Sequence, residues 1–313
     1  MKRILIFLFL LIIVNFVARA QQDPQFSQNM FNHLTINPGF AGKSDAINAS
    51  LLNRFQWVGF PGAPVTTVFN ADATVGLIGQ EDGLGFSVMN DEIGYEKNIS
   101  VSLMYAWRTD VGNGKLGTGI SIGLMNKNLK PDWSSDAGAN LIDQGDPLIP
   151  QSEVNALVPD IGFGLFYEHK DYYLGLSVKH LNQAVYSYEE SGKYSLVRNY
   201  YFSGGYNIRL SDPLFEVQPS LLFKTDAASY QVDVDVNVRY NKRVWGGLGY
   251  RLNDAVIVLL GTEFRNGIKV GYSYDLTISP LARYSSGSHE FFIAYSFNLN
   301  RRREQKYKSV RFL

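Results

Sequence analysis

The 313-residue chain contains no cysteine. That excludes a disulfide framework, a cysteine-ligated metal and a cysteine nucleophile. It also lacks an excess of either charge: 29 basic residues balance 29 acidic ones, so no field gathers nucleic acid. Only four histidines occur, His33, His169, His180 and His289, and none has the i, i+2 or i, i+4 partner that a metal site needs. They read as scattered interface or turn residues, and neither metal nor cofactor is expected. Beyond residue 20 no apolar run approaches the ~20 residues of a spanning helix; the longest, such as Ala255 to Leu260, are strand-sized.

The first twenty residues read as a secretory signal peptide. Lys2 and Arg3 supply the positive end, Ile4 to Val17 the apolar stretch, and Ala18-Arg19-Ala20 the small-x-small site, so cleavage is expected between Ala20 and Gln21. The apolar stretch, about 14 residues, is too short for an anchor. No cysteine follows the expected cut to carry a lipid.

What the chain has in abundance is 19 Tyr, 20 Phe and 29 Gly, the residues of strands, aromatic girdles and tight inward positions. Val232-Asp233-Val234-Asp235-Val236-Asn237-Val238-Arg239-Tyr240 alternates apolar and polar without a break, the pattern of a strand with one greasy and one wet face. Similar stretches cover 98–107, 268–276 and 290–299, and weaker ones 45–56, 64–75, 82–90, 115–126, 160–169, 172–181, 198–210, 214–225, 243–252 and 255–264. Each is about as long as a tilted strand must be to cross hydrocarbon. About fourteen such strands predict an all-β, transmembrane antiparallel β-barrel of the outer-membrane type spanning 45–299.

If the first strand runs outward, the short connections (110–114, 169–171, 211–213, 241–242, 265–266) all fall on the periplasmic side and the two longest (128–158, 182–197) outside. Trp57, Trp107, Trp245, Tyr200, Tyr201 and Tyr250 cluster near strand ends, as girdle residues do. The wet faces carry Asp233, Asp235, Arg239, Lys269 and Asp275, and Arg239 and Lys269 are expected to neutralise the paired Asp233 and Asp235.

Three patterns imitate active sites. Gly119-Ile120-Ser121-Ile122-Gly123 matches a nucleophile elbow, which requires a strand, a sharp turn and a helix; here the serine sits inside an alternating run. Asp233-x-Asp235-x-Asn237 begins like a calcium loop, but Val238 replaces the required glycine and Val244 stands where a glutamate should. The same two aspartates share one face, as paired acid/base carboxylates would. Lumen lining explains all of these, and the chain is expected not to be an enzyme.

Between the leader and the first strand lies QQDPQFSQNMFN (residues 21–32), then INPGFAG (36–42), without clean alternation. With Arg54-Phe55-Gln56-Trp57-Val58-Gly59-Phe60-Pro61-Gly62-Ala63-Pro64 and Gly287-Ser288-His289-Glu290, it resembles the PorP/SprF family of type IX secretion and gliding-motility outer-membrane proteins. The chain departs from the family at His33, where Pro is frequent, and in the basic tail 300–313, which runs past the usual last strand. The resemblance implies an outer-membrane component that exports a secreted adhesin or cargo protein or attaches it to the surface. Its expected partners are that protein, other type IX secretion or gliding components in the periplasm and outer membrane, and outer-membrane lipid. Residues 21–44 form a periplasmic or plug-like segment whose Phe26, Met30, Phe31 and Phe40 are candidate apolar anchors, with Asn37 and Pro38 between them. That segment and the tail are expected to face the periplasmic assembly. Trp57, Gly59 and Pro64 would shape the first outer turn, and Trp133 lies on the long acidic loop. Fourteen strands are also wide enough for a general diffusion porin or ligand-transport channel, unless a plug fills the lumen.

Overall fold

A computed structural model describes residues 23–44, 46–76, 82–130, 153–187 and 193–297. Ala20, Gln21, Trp133 and the basic tail lie outside the described residues. The barrel strands are β1 (Ile47–Phe55), β2 (Val65–Val75), β3 (Asp82–Ile93), β4 (Glu96–Val111), β5 (Gly114–Leu129), β6 (Val154–Glu168) and β7 (Tyr172–Lys179). They continue with β8 (Asn199–Tyr206, extended by Ile208–Arg209), β9 (Phe215–Thr225), β10 (Tyr230–Tyr240), β11 (Val244–Arg251), β12 (Ala255–Glu263), β13 (Ile268–Thr277) and β14 (Ser288–Phe297).

Every strand is antiparallel to both neighbours. β1 meets β14 from Ile47 opposite Phe297 to Phe55 opposite His289, and β8 bridges β7 and β9, so the fourteen-stranded sheet closes without an edge. Closure satisfies the backbone groups that hydrocarbon would otherwise strand. One end carries the short connections and the start of β1; we call it the turn end. The other, the loop end, carries residues 56–64, 278–287 and the connection from β7 to β8, in which Val185–Ser187 pairs with Lys193–Ser195.

The barrel is apolar outside, and its inner face combines buried polar and charged side chains with apolar ones. On β10, Val234, Val236, Val238 and Tyr240 are more than 40% exposed, whereas Asp233, Asp235 and Asn237 are at most 2% exposed. Leu103, Ile122, Leu157 and Leu248 stand out from the wall in the same way. So continuous an apolar exterior suits lipid and not water.

Strands β4 to β6 run past the expected bounds, β6 starting at Val154 instead of 160. Apolar alternation marks only the lipid-crossing part of a strand, while backbone pairing continues through Lys127 opposite Ala156. Two of the expected girdle aromatics face the other way. Tyr200 and Tyr201 are adjacent, so only one can point outward; Tyr201 and Trp245 turn inward and are 4% exposed. The indole of Trp245 lies over Gly261 on β12, where a Cβ would come within 2.3 Å of it.

Candidate functional site

Residues 23–43 occupy the lumen as a plug made of three single-turn helices, Asn29–Phe31, His33–Ile36 and Pro38–Phe40. Such short turns have no stability of their own; the wall supplies it. Phe26 packs with Leu52, Val68, Met89 and Phe292, and Leu34 with Ala41, Met104 and Ala106. Phe31 lies 5.1 Å from Trp245 and 5.6 Å from Phe292, ring centre to ring centre, and with Met30 covers Ile257 and Leu259. Adding the polar contacts below, the plug touches all fourteen strands.

The strongest of these contacts is a buried charge cluster. Arg54 donates to Asp275 at 2.7 Å, Glu290 at 3.2 Å and the Ser27 hydroxyl at 2.9 Å; Arg251 donates to Asp275 at 2.8 Å and Asp233 at 3.2 Å. The plug completes it: the Ser27 hydroxyl donates to Asp275, and the amides of Ser27 and Gln28 each donate to Glu290 at 2.8 Å. Arg54 and Arg251, not Arg239 and Lys269, therefore neutralise these carboxylates. Register explains it, because Arg251 stands opposite Asp233, whereas Arg239 and Lys269 lie near the turn end beside Glu263. Asp235 accepts from Asn29 at 3.3 Å.

Nearer the loop end, Asp23 accepts from Lys179 at 2.8 Å, His180 Nε2 at 2.9 Å and the Tyr201 hydroxyl at 2.7 Å, while Lys224 holds its backbone carbonyl. Burial alone would raise the Asp23 carboxyl, yet Lys179 and His180 hold it well below the usual carboxylate range. The other nitrogen of His180 faces Asp160 at 2.8 Å. Burial works against the imidazolium, but Asp23 and Asp160 outweigh it and raise His180 to about 9, so the ring donates to both carboxylates. His33 is thus a buried plug residue and not an interface or turn position, while His180 opens a turn, its carbonyl accepting from the Gln183 amide at 3.0 Å, with its ring buried. His33 lies among Phe40, Phe166 and Tyr173, where burial and Lys43 push its pKa down to about 3.

The Asn37-Pro38-Gly39 turn explains the imitation nucleophile elbow. Asn37 caps the Gly39 amide with its Oδ1 and donates to the carbonyls of Leu165 and Leu176. Pro38 and Gly39 lie directly on β5, where a Cβ at Gly119 would fall within 2.4 Å of Gly39 N. Glycine is needed at 119 for this close backbone approach, and Ser121 sits in extended strand with no turn or helix after it. Asn70 donates to Asn32 and Thr35, Ser177 to the Ile36 carbonyl, and the Gly42 amide donates to Asp72. No set of three metal-ligating side chains gathers among the described residues.

Of the candidate partner residues, Phe26, Asn37 and Pro38 are buried in the lumen. Met30 and Phe31 line two hollows at the turn end, of about 300 and 360 Å³, beside Lys43, and Phe40 lines the first of them. Trp57, Gly59 and Pro64 sit in the first loop-end connection; Gly59 has a φ of +94° and Trp57 of +49°, and Val58 bonds to Gly287 and Ser286 in the neighbouring loop. No sequence pattern shows the contacts of Arg54, Arg251, Glu290 and Asp23; Arg54, Glu290 and Asp23 each lie in a motif shared with the family, whereas Arg251 carries no such signal.

A closed antiparallel barrel with an apolar belt, filled by its own amino-terminal segment, defines an outer-membrane β-barrel protein. Residues 18–295 match the family described as type IX secretion system membrane protein PorP/SprF, and the chain belongs to it. No curated protein sequence matches the chain. Among solved structures it is similar to the Acinetobacter baumannii outer membrane protein Omp33 (6% identity, 80% of this chain and 97% of that one, TM-score 0.46). It is likewise similar to the toluene transporters TbuX of Ralstonia pickettii (11%, 84% and 92%, 0.47) and TodX of Pseudomonas putida (11%, 90% and 95%, 0.47). What those proteins carry does not bear on this lumen.

Proposed function

We propose that this component of the type IX secretion system is a non-enzymatic, plugged barrel that serves as a docking platform for export or surface attachment of a secreted adhesin or cargo protein. The observation that carries the reading is the plug: a segment tied to all fourteen strands leaves the two ends of the barrel, and not a pore, as its working surfaces. The loop end faces outward and presents Trp57, Gly59 and Pro64 to the secreted protein. At the turn end Met30, Phe31 and Phe40, beside Lys43, are open to periplasmic components of the machinery. The diffusion-channel reading needs the plug to leave, which would strip Asp275 and Glu290 of their partners on Ser27 and Gln28. Deleting the gene and cataloguing surface proteins tests the proposal: one or more secreted surface proteins should vanish and co-purify with the tagged barrel from wild-type cells. An unchanged surface proteome with normal secretion and motility would reject it.

A further inference from the structure

The turn end carries a patch of positive charge that the plug does not use. Lys242 and Arg243, in the turn between β10 and β11, and Arg265, in the turn between β12 and β13, are exposed and line one open hollow of about 730 Å³. None of the three makes an ion pair among the described residues. Glu263, the one carboxylate lining the hollow, is already held by Arg239 at 3.2 Å and Lys269 at 3.8 Å. The turns at 110–114, 169–171 and 211–213 each hold an aspartate, Asp110, Asp171 and Asp212, whereas these two hold none. The backbone fixes the cations in place: the Arg243 carbonyl accepts from the Glu263 amide at 2.6 Å, and Gly267, at a φ of +90°, closes the second turn beside the Tyr295 ring. Lys242 takes a φ of +55°, a left-handed conformation that glycine or asparagine adopts at lower cost, so turn geometry does not select a lysine there.

Depth decides what these cations meet. Tyr240 and Phe297 end β10 and β14, and Phe264 follows β12; all three are more than 40% exposed on the outer wall, at the level of an aromatic girdle. Lys242 lies two residues beyond Tyr240 and Arg265 one beyond Phe264, which at ~3.3 Å per residue sets them roughly 3–7 Å past the girdle. The headgroup region beside the hydrocarbon is about as thick, ~5–8 Å. We propose that the hollow is a headgroup site for an anionic phospholipid: Lys242, Arg243 and Arg265 hold its phosphate, and Phe264 and Phe297 lie along its acyl chains. Charge complementarity carries the choice of occupant. The chain that follows Phe297 brings the same sign of charge in Arg301, Arg302 and Arg303 and does not complement the patch. That the leaflet is the periplasmic one rests on the proposed orientation; the chemistry of the site does not. A lipid held there sets the depth at which the turn end stands in the membrane.

Native mass spectrometry of the purified full-length protein in detergent tests the site, with dioleoylphosphatidylglycerol, dioleoylphosphatidylcholine and glycerol phosphate as probes. The expected result is retention of phosphatidylglycerol in preference to phosphatidylcholine, weakened by about one to two orders of magnitude in the triple variant Lys242→Ser, Arg243→Ser, Arg265→Ser. The triple variant Lys97→Ser, Lys170→Ser, Arg283→Ser removes the same charge elsewhere and should bind as wild type does. So should Lys242→Arg, Arg243→Lys, Arg265→Lys, which keeps the charges in place and separates lost binding from lost folding. Glycerol phosphate at equal concentration should not displace the lipid. Equal retention of the two lipids, or equal loss in all three triple variants, would overturn the site. Undiminished phosphatidylglycerol on the first triple variant would also overturn it and leave the cations to an acidic protein partner. Displacement by glycerol phosphate would make the hollow a site for free phosphate and reject the lipid. Because the probes are added in detergent, these outcomes are independent of which end of the barrel faces outward.

Discussion

Replacing Arg54 with leucine removes three hydrogen bonds from a site that is 1% exposed, namely those to Asp275, Glu290 and the Ser27 hydroxyl. Breaking a buried ion pair on one side costs ~3–5 kcal/mol, because the partner charge stays buried. Here the cost should fall near the lower figure: Asp275 keeps Arg251 at 2.8 Å, and Glu290 keeps the two plug amides. About 3 kcal/mol corresponds to about two orders of magnitude in the equilibrium between docked and released plug. Urea titration in detergent micelles measures it through Trp245, whose indole rests 5.1 Å from Phe31 and changes environment when the plug departs. Adding Glu290→Gln to Arg54→Leu removes the stranded charge and leaves an amide oxygen for the plug, so the double variant should recover about 1 kcal/mol relative to the summed single effects. A single variant within about 0.5 kcal/mol of wild type, the range of ordinary surface changes, would refute the reasoning.

Three further outcomes are expected. Gly83→Ala places a Cβ 2.0 Å from the Ala41 carbonyl and should loosen the plug by ~1–3 kcal/mol; Gly246→Ala, whose nearest neighbour is 3.7 Å away, should leave the Trp245 transition unmoved. Since His180 is raised in the folded protein to about 9, its stabilisation is complete below about pH 6.5 and is lost as pH rises through about 9. The wild-type unfolding midpoint should fall over that interval and that of His180→Gln should not; equal slopes would dismiss the contribution of the His180 ion pairs to Asp23 and Asp160. Asn37→Ala removes the cap on Gly39 and two bonds to wall carbonyls and should cost ~1–3 kcal/mol; limited proteolysis of the amino-terminal segment reads the change.

The barrel was legible because each strand carries its own instruction: the face of Val234 and the face of Asp235 follow from adjacent residues, and lipid demands their separation over one crossing length. The plug carries no such local code. Ser27 bonds to Glu290 across 263 residues of sequence, and no period links them. The motifs at 36–42 and 54–64 drew attention to Asn37 and Arg54, but spacing could not show that one caps a turn pressed onto Gly119 while the other holds the plug. The side of the wall taken by Trp245 was hidden for a related reason. Aromatic residues serve both a girdle and a packed lumen, and only strand parity, with Gly261 opposite, decides between them.

The central claim is that this barrel is closed by its own residues 23–43. Single-channel conductance in a planar bilayer tests it most directly, comparing the purified protein with a variant lacking residues 23–43. No steady openings are expected from the intact protein, and large steady openings from the shortened one. Equal large openings from both would contradict it.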